Sequence, residues 1–117
     1  MWRKQNDMKK KRCYNSGPIS SLSPIVAWHN FERADKLISD ELQMSPVNPM
    51  KVTWGVRSTA PWIVHMVKDI ILLLTCSDVY FQPGWKKSRG ARWEFKTAAF
   101  FGLNIWMDSS RQEIPTK

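Results

Sequence analysis

His65, Asp69 and Cys76 are the residues whose types and spacing come closest to a catalytic group in this sequence. On a helix, His65 and Asp69 lie four positions apart and share a face, and Cys76, further along, falls near that face. A thiol nucleophile needs a base within about 3 Å and a site for an oxyanion, and helical spacing by itself supplies neither. We therefore interpret the three residues as a surface His–Asp pair and an inert buried cysteine, and we predict no catalytic residue.

The common motifs for binding metals and phosphates are missing from the sequence. Structural zinc sites use close pairs of Cys or His, whereas Cys13, His29, His65 and Cys76 all stand alone. There is no Gly-rich phosphate loop, no Gly-x-Ser-x-Gly and no His-Glu-x-x-His. We accordingly expect no metal, no cofactor, no small-molecule substrate and no enzymatic activity.

The positive charge of the chain is concentrated in two short clusters. The formal net charge is +8, and residues 1–12 contain six cations and one anion, while residues 86–96 contain five cations and one anion. The rest of the chain is close to neutral. Such local concentration indicates contact with a polyanion more than a diffuse charge for solubility.

The second cluster combines cations with two tryptophans. Phosphates attract cations, and unpaired bases stack on indole rings or guanidinium planes, so this mixture suits RNA or single-stranded DNA. The candidate nucleic-acid-binding residues are Lys86, Lys87, Arg89, Arg92, Trp85 and Trp93. The alternative is a hairpin loop that opens at Pro83-Gly84 and keeps its cations in solvent.

The first cluster ends in a basic run, Lys9, Lys10, Lys11 and Arg12, which resembles a short nuclear import signal. It predicts an intracellular protein, with the nucleus favoured over the cytoplasm. One alternative is a solvated, disordered arm. Another is a peripheral membrane protein whose arm lies on an anionic lipid surface, with Cys13 accepting an acyl chain.

Two amphipathic helices are predicted to form the core. Ser23 is a fitting N-cap with Pro24 at the first helical position, which places a helix over about residues 24–43. A second helix over about 61–76 has an apolar stripe that includes Ile63, Met66, Val67, Ile70, Ile71 and Leu74. We expect this stripe to face the core, with His65, Lys68 and Asp69 on the opposite side. The charges of Lys68 and Asp69 also argue against a membrane span.

The other elements are predicted as short strands and loops. Alternating residues favour strands at 50–57, 78–81 and 93–96, the last two paired as a hairpin, and 98–107 is assigned to a strand or short mixed elements. Residues 13–22 are rich in turn formers and are interpreted as a linker. The expected fold is a small single α+β domain at 23–108, between a disordered basic arm and linker at 1–22 and a frayed tail at 109–117.

The best functional interpretation is a small, basic, tryptophan-rich protein that binds nucleic acid through its phosphates and is not an enzyme. Trp occurs 7 times, which is as often as Leu, while Glu occurs 4 times. This bias leaves a second interpretation open, a poorly selected reading frame without a defined function. The peripheral membrane protein is the third, and the sequence does not determine the oligomeric state.

Overall fold

A four-stranded parallel sheet lies at the centre of the structure, a computed structural model that describes residues 10–107. The strands are β1 (Arg12–Ser16), β2 (Ser45–Val47), β3 (Asp78–Phe81) and β4 (Asn104–Met107), arranged in the order β2-β1-β3-β4. Three α-helices connect them: α1 (Pro24–Asp40), α2 (Trp62–Leu74) and α3 (Arg89–Phe100), with a 3-10 turn at Trp85–Lys87 before α3.

The helices cover both faces of the sheet. Side chains alternate along a strand, so Cys13 of β1 and Tyr80 of β3 pack with α1 on one face. Tyr14 of β1, with Val79 and Phe81 of β3, packs with α2 and α3 on the other face. The molecule therefore has three layers, with a hydrophobic core on each side of the sheet.

This topology corrects the expected α+β class to α/β. Each pair of neighbouring strands is parallel, and parallel neighbours need a crossover, which the helices supply. The chain order reverses direction between the central strands β1 and β3. In open sheets of this kind, ligands bind outside the carboxyl ends of the strands at that reversal point. The ends of β1 and β3 are therefore the place to look for a site.

The first two helices confirm the sequence prediction. Helix α1 begins at Pro24, and the Ser23 hydroxyl accepts a hydrogen bond from the backbone N–H of Val26 at 3.4 Å. Helix α2 occupies Trp62–Leu74, inside the predicted span. Capping and periodicity together placed α1, whereas periodicity placed α2, whose N-cap Pro61 makes no side-chain hydrogen bond.

The third helix, α3, was predicted wrongly. Residues 93–96, assigned to a hairpin strand, lie in the middle of α3, and the chain after Gly84 enters a 3-10 turn instead of a hairpin loop. Ser88 caps the helix by accepting a hydrogen bond from the backbone N–H of Ala91 at 3.2 Å. The short alternation Trp-Glu-Phe-Lys also fits one turn of helix, and tertiary packing decides between the two.

The segment predicted as a linker contains a strand, and the segment predicted as the first strand forms turns. Residues 12–16, which join the end of the expected basic arm to the expected linker, form the central strand β1. Residues 50–57, expected as a strand, form successive turns, closed by backbone hydrogen bonds from Lys51 to Asn48 and from Val56 to Thr53. Strand β1 was missed because its sequence, Arg-Cys-Tyr-Asn-Ser, lacks the apolar run that is typical of a strand buried on both faces.

The first nine residues of the predicted arm and linker at 1–22, and the whole predicted tail at 109–117, lie outside the described residues. Among the helices of residues 10–107, none is long and apolar enough to cross a membrane.

Replacing Ser88 by alanine is expected to reduce the free energy of unfolding by about 1 kcal/mol, because α3 loses its side-chain cap. Glycine at position 88 should cost only a few tenths of a kcal/mol, because glycine caps a helix moderately well. Ser39→Ala, at an exposed position inside α1, is the control and should be close to neutral. Urea unfolding followed by circular dichroism measures all three, and equal effects of the two alanine variants would contradict the cap.

Candidate active site

The buried carboxyl group of Glu94 on α3 is held by two hydroxyl groups from β1. The alternation of β1 turns Tyr14 and Ser16 towards α3, and each hydroxyl meets one carboxyl oxygen. Tyr14 Oη donates to Glu94 Oε2 at 2.7 Å, and Ser16 Oγ donates to Glu94 Oε1 at 2.6 Å. This places a fixed carboxyl group beside the end of β1.

The buried environment of Glu94 raises the pKa of its carboxyl group. The residue is 5% exposed, and burial raises its pKa from 4.5 to about 7, although the hydrogen bonds from Ser16 and Tyr14 oppose the shift. Burial also raises the pKa of Tyr14, followed by the charge of Glu94, so its hydroxyl remains a donor. A carboxyl group with a pKa near neutrality can act as a nucleophile or base and can also carry a proton.

A cavity of about 480 Å³ lies against this carboxyl group. Its walls come from the end of β1, the turns after β2, the inner side of α2 and the start of α3, and they include Asn15, Gly17, His65, Asp69, Ser88 and Glu94. A Cβ at Gly17 would collide with the end of the Gln82 side chain, which would then have to move. Proteins commonly bind small molecules in cavities of about 300–1,000 Å³. The cavity therefore has the size and the polar groups of a ligand site.

Helix α2 turns its charged residues inward, which corrects the predicted orientation. Lys68 is 8% exposed, whereas Ile63 and Ile71, expected in the core, are more than half exposed. The Lys68 ammonium donates to the backbone carbonyls of Pro49 and Val52 at 3.0 and 2.7 Å. These bonds offset the cost of burying the charge and hold the turns that form the cavity wall.

Asp69 is the second carboxyl group of the cavity. Its Oδ1 lies 2.9 Å from Lys68 Nζ as an ion pair, and within residues 10–107 this oxygen has no further hydrogen-bond partner. Burial raises the pKa of Asp69, with the neighbouring charge of Lys68 acting in the opposite direction. The surface His–Asp pair predicted from the sequence is therefore wrong, because Asp69 and His65 both line the cavity.

A polar network fixes the opposite wall of the cavity. Asn15 of β1 donates to Asp35 Oδ1 of α1 at 2.8 Å, and Asn48 donates to Asp35 Oδ2 at 3.0 Å. Gln82, after β3, donates to Asn15 Oδ1 at 2.7 Å. The network joins β1, α1 and the ends of β2 and β3, so its buried polar groups are paired and the wall is rigid.

Replacing Tyr14 by phenylalanine is expected to raise the pKa of Glu94 above about 7, because the variant removes a donor that stabilises the charged carboxylate. Ser16→Ala should act in the same direction. Carbon-13 NMR titration of the glutamate side chains measures the shift, and Tyr80→Phe, on the other face of β3, is the control. An unchanged or lowered Glu94 pKa in Tyr14→Phe would contradict the geometry.

Comparison with protein families shows which family the chain belongs to. The family model described as Domain of unknown function (DUF4406) matches residues 11–107, which span all four strands and all three helices. The chain belongs to this family. No curated protein matches the chain.

The fold of this DUF4406 chain is shared with a solved enzyme structure. It is similar to the 2-desoxiribosyltransferase from Leishmania mexicana, with a TM-score of 0.56 and 19% sequence identity. The likeness covers 83% of this chain and 63% of that one, so the chain corresponds to less than two thirds of that protein. At this identity the likeness establishes the α/β fold.

These findings overturn three functional predictions made from the sequence. The chain has the fold of a 2-desoxiribosyltransferase and carries a buried carboxyl group at a cavity, which contradicts a non-enzymatic protein. They contradict a nucleic-acid-binding function for the same reason. They also contradict the expectation that no small-molecule substrate is implied. The sequence did not indicate this because Glu94, which lines the cavity, is far along the chain from Tyr14 and Ser16, which hold it.

The predicted nucleic-acid residues of this DUF4406 chain lie in different environments. Trp85 is buried in the core against Phe81 and Phe95, whereas Trp93 is exposed on α3. The Arg89 guanidinium lies 3.9 Å from the centre of the Trp62 ring, and Arg92 donates to the backbone carbonyl of Lys86. Lys86 and Lys87 are exposed in the 3-10 turn. The six residues therefore do not form one stacking surface.

The other residues singled out from the sequence are placed as follows. Cys13 is fully buried in β1, which contradicts its role as an acyl acceptor, and burial raises the pKa of the Cys76 thiol in the core. Within residues 10–107, no three His, Cys, Asp or Glu side chains form a group that could hold a metal ion. Arg12 begins β1, Lys10 and Lys11 precede it, and Lys9 lies outside the described residues. Nuclear import through this run stays a prediction.

Sequence reasoning missed Tyr14, Ser16 and Glu94, although one signal for Glu94 was present. Once Ser88 is taken as a helix cap, Ala91, Glu94 and Ala98 fall on one face. A single carboxylate on an otherwise apolar helical face indicates a group with a perturbed pKa. Tyr14 and Ser16 gave no comparable signal, because their strand was not recognised.

Proposed function

We propose that this protein is an enzyme of nucleoside metabolism that breaks the bond between a nucleobase and a deoxyribose and transfers the sugar. The observation that carries the proposal is Glu94, a buried carboxyl group held by Tyr14 and Ser16 at the wall of a cavity. The fold shared with a 2-desoxiribosyltransferase supports the choice of a nucleoside as the substrate. The position of the cavity at the carboxyl end of β1 supports it further.

Glu94 is the nucleophile in this proposal. Its carboxylate attacks the anomeric carbon of the sugar, the bond from that carbon to the base nitrogen breaks, and the base leaves with the electron pair. The product is a glycosyl ester on Glu94. An acceptor base then attacks the same carbon, a new carbon–nitrogen bond forms, and the carboxylate is released. Two displacements at one carbon retain its configuration, as in glycosidases that use a carboxylate nucleophile.

The hydroxyl groups of Tyr14 and Ser16 orient the nucleophile. Each donates to a different oxygen of Glu94, so the plane of the carboxyl group is fixed before the substrate binds. Fixed orientation of this kind lowers the entropic cost of the reaction. The two hydroxyl groups also hold the carboxylate when the ester is hydrolysed or transferred.

Asp69 is the proton donor to the leaving base. Its carboxyl group lines the same cavity, and its Oδ1 is paired with Lys68 Nζ and has no further hydrogen-bond partner within the described part of the chain, so it can also bind a polar edge of the base. Burial raises its pKa, which favours the protonated form that a general acid needs. The proton that neutralises the departing nitrogen returns to Asp69 when the acceptor base is deprotonated.

Incubation of the purified protein with a 2′-deoxynucleoside and a different free base tests the proposal. Liquid chromatography should show a second deoxynucleoside and the first base in equal amounts. Omission of the acceptor base should suppress formation of the new nucleoside, which is the control for transfer. Unchanged substrates across a panel of purine and pyrimidine deoxynucleosides would contradict the proposal.

A further inference from the structure

The outer sides of α2 and α3 expose an unusual number of large apolar side chains. Eight of them are between 40% and 80% exposed: Ile63, Val64, Val67, Ile71, Leu74, Trp93, Phe100 and Phe101. We call these eight residues the α2–α3 face. Single exposed apolar residues are normal on a protein surface, but a contiguous group of this size marks an interaction site.

The α2–α3 face is contiguous because the two helices are neighbours. A Cβ at Gly90 of α3 would lie 3.4 Å from Met66 Sδ of α2, and Arg89 stacks on Trp62. Both helices connect parallel strands on the same side of the sheet, so they run side by side in the same direction.

None of the eight residues of the α2–α3 face is charged. The two charged residues of α2, Lys68 and Asp69, lie on the inner side of that helix at the cavity. On α3, Lys96 lies between Trp93 and Phe100, with its ammonium 5.5 Å from the centre of the Trp93 ring. A polyanion needs several cations within its contact area, whereas the eight residues of this face are all apolar. An apolar partner surface is required.

The area of the α2–α3 face matches what a stable dimer needs. A buried aromatic side chain covers about 150–250 Å², so the exposed parts of three aromatic and five aliphatic side chains together offer on the order of 800 Å². A standard protein interface buries about 800 Å² on each partner. The face is therefore large enough to support a specific interface without further contacts.

We propose that a second copy of this chain binds the α2–α3 face and that the protein is a symmetric dimer. Each copy has a net charge of +8, so two copies repel each other least through a surface with little charge, and the eight residues of this face are apolar. The same patch on both copies forms a closed twofold interface, which is the commonest arrangement of soluble oligomers. The inference is independent of the proposed enzymatic activity.

Analytical ultracentrifugation of the full chain tests the proposal over the micromolar concentration range. The wild-type protein should sediment as one species of twice the 13.7 kDa chain mass. The double variant Val67→Glu, Phe100→Glu should sediment as a monomer, with a dissociation constant raised by at least about 100-fold, because charges are introduced into the interface centre. Ile25→Glu, an exposed apolar position on α1, is the matched control and should stay dimeric.

A second measurement is independent of how well the double variant folds. Cys13 and Cys76 are buried, so Val67→Cys adds an exposed thiol, and a short bifunctional maleimide should join two such chains. Ile25→Cys should give no cross-linked product. A monomeric wild type, association without an upper limit, or a dimer unaffected in a folded double variant would overturn the proposal. A wild-type monomer that floats with phosphatidylcholine vesicles would assign the face to lipid and overturn it equally.

Discussion

Glu94→Gln is expected to lower the rate of sugar transfer by about 10⁴-fold or more, the size of effect seen when an enzyme loses its nucleophile. The amide is nearly isosteric with the carboxyl group, and its oxygen can still accept a hydrogen bond from Tyr14 or Ser16. The amide nitrogen and oxygen are poor nucleophiles towards an anomeric carbon. The variant should therefore keep the fold and the cavity while losing the covalent step.

Two controls separate this chemistry from a change in structure. Glu41→Gln, at an exposed position after α1, makes the same substitution away from the cavity and should leave the rate unchanged. Mass spectrometry of the wild type with a slow substrate should show the added mass of one deoxyribosyl group, and the Glu94 variant should show none. A Glu94→Gln protein with nearly full activity would remove Glu94 from the mechanism.

The same glutamate should make the stability of the protein depend on pH. The pKa of Glu94 is raised from 4.5 to about 7 by burial, so between these values the folded protein binds a proton that the unfolded chain has lost. The contribution of this group to stability is complete below about pH 4.5 and is lost as the pH rises through about 7. The loss amounts to about 3 kcal/mol, because one pKa unit corresponds to about 1.4 kcal/mol.

Denaturant unfolding of the wild type and Glu94→Gln across this pH range measures the effect. Other titrating groups are common to both proteins, so the difference between their free energies of unfolding isolates Glu94. We expect the free energy of unfolding of the variant to increase relative to that of the wild type as the pH rises. This change should be centred between about pH 4.5 and 7. If this difference in the free energy of unfolding did not change with pH, the pKa of Glu94 would not be raised by burial. Deprotonation of Glu94 should also make the rate of sugar transfer increase with pH, because the nucleophile is the carboxylate.

Part of the fold followed directly from local sequence. Ser23 and Pro24 start α1 as predicted, because an N-cap hydroxyl and a proline in the first turn act through neighbours along the chain. Strand β3 was likewise predicted at residues 78–81, where it is observed. The signals for these elements are local, and tertiary contacts did not reverse them.

The pairing of the strands did not follow from local sequence. β1 pairs with β2 and β3, and most of the residues between them belong to helices and turns. The central strand β1 contains Asn15 and Ser16, which are buried because side chains from α1, α3 and the end of β3 satisfy their polar groups. A polar strand of this kind has the composition of a loop. It forms a strand because distant parts of the chain supply its hydrogen-bond partners.

The candidate site was the least predictable part, because its residues are defined by their environment. Tyr14 and Glu94 are 80 positions apart and meet through the register of β1 and the packing of α3. The orientation of α2 shows the same limit: in its predicted apolar stripe, Met66 is buried and Ile70 packs against the core, and the other members are exposed, namely Ile63, Val67, Ile71 and Leu74. A stripe identifies a face that avoids water, and it does not say whether the protein's own core or another surface covers that face.

The sequence by itself determined the positions of α1, α2 and β3, the concentration of basic residues, and the amphipathic character of α2. The tertiary structure decided that the sheet is parallel, that residues 89–100 are helical, and that Lys68, Asp69 and Glu94 are turned inward. The physical reason is the range of the interactions. Caps and periodicity act within a few residues, whereas the burial of a charged group is stable only when distant parts of the chain supply its hydrogen bonds.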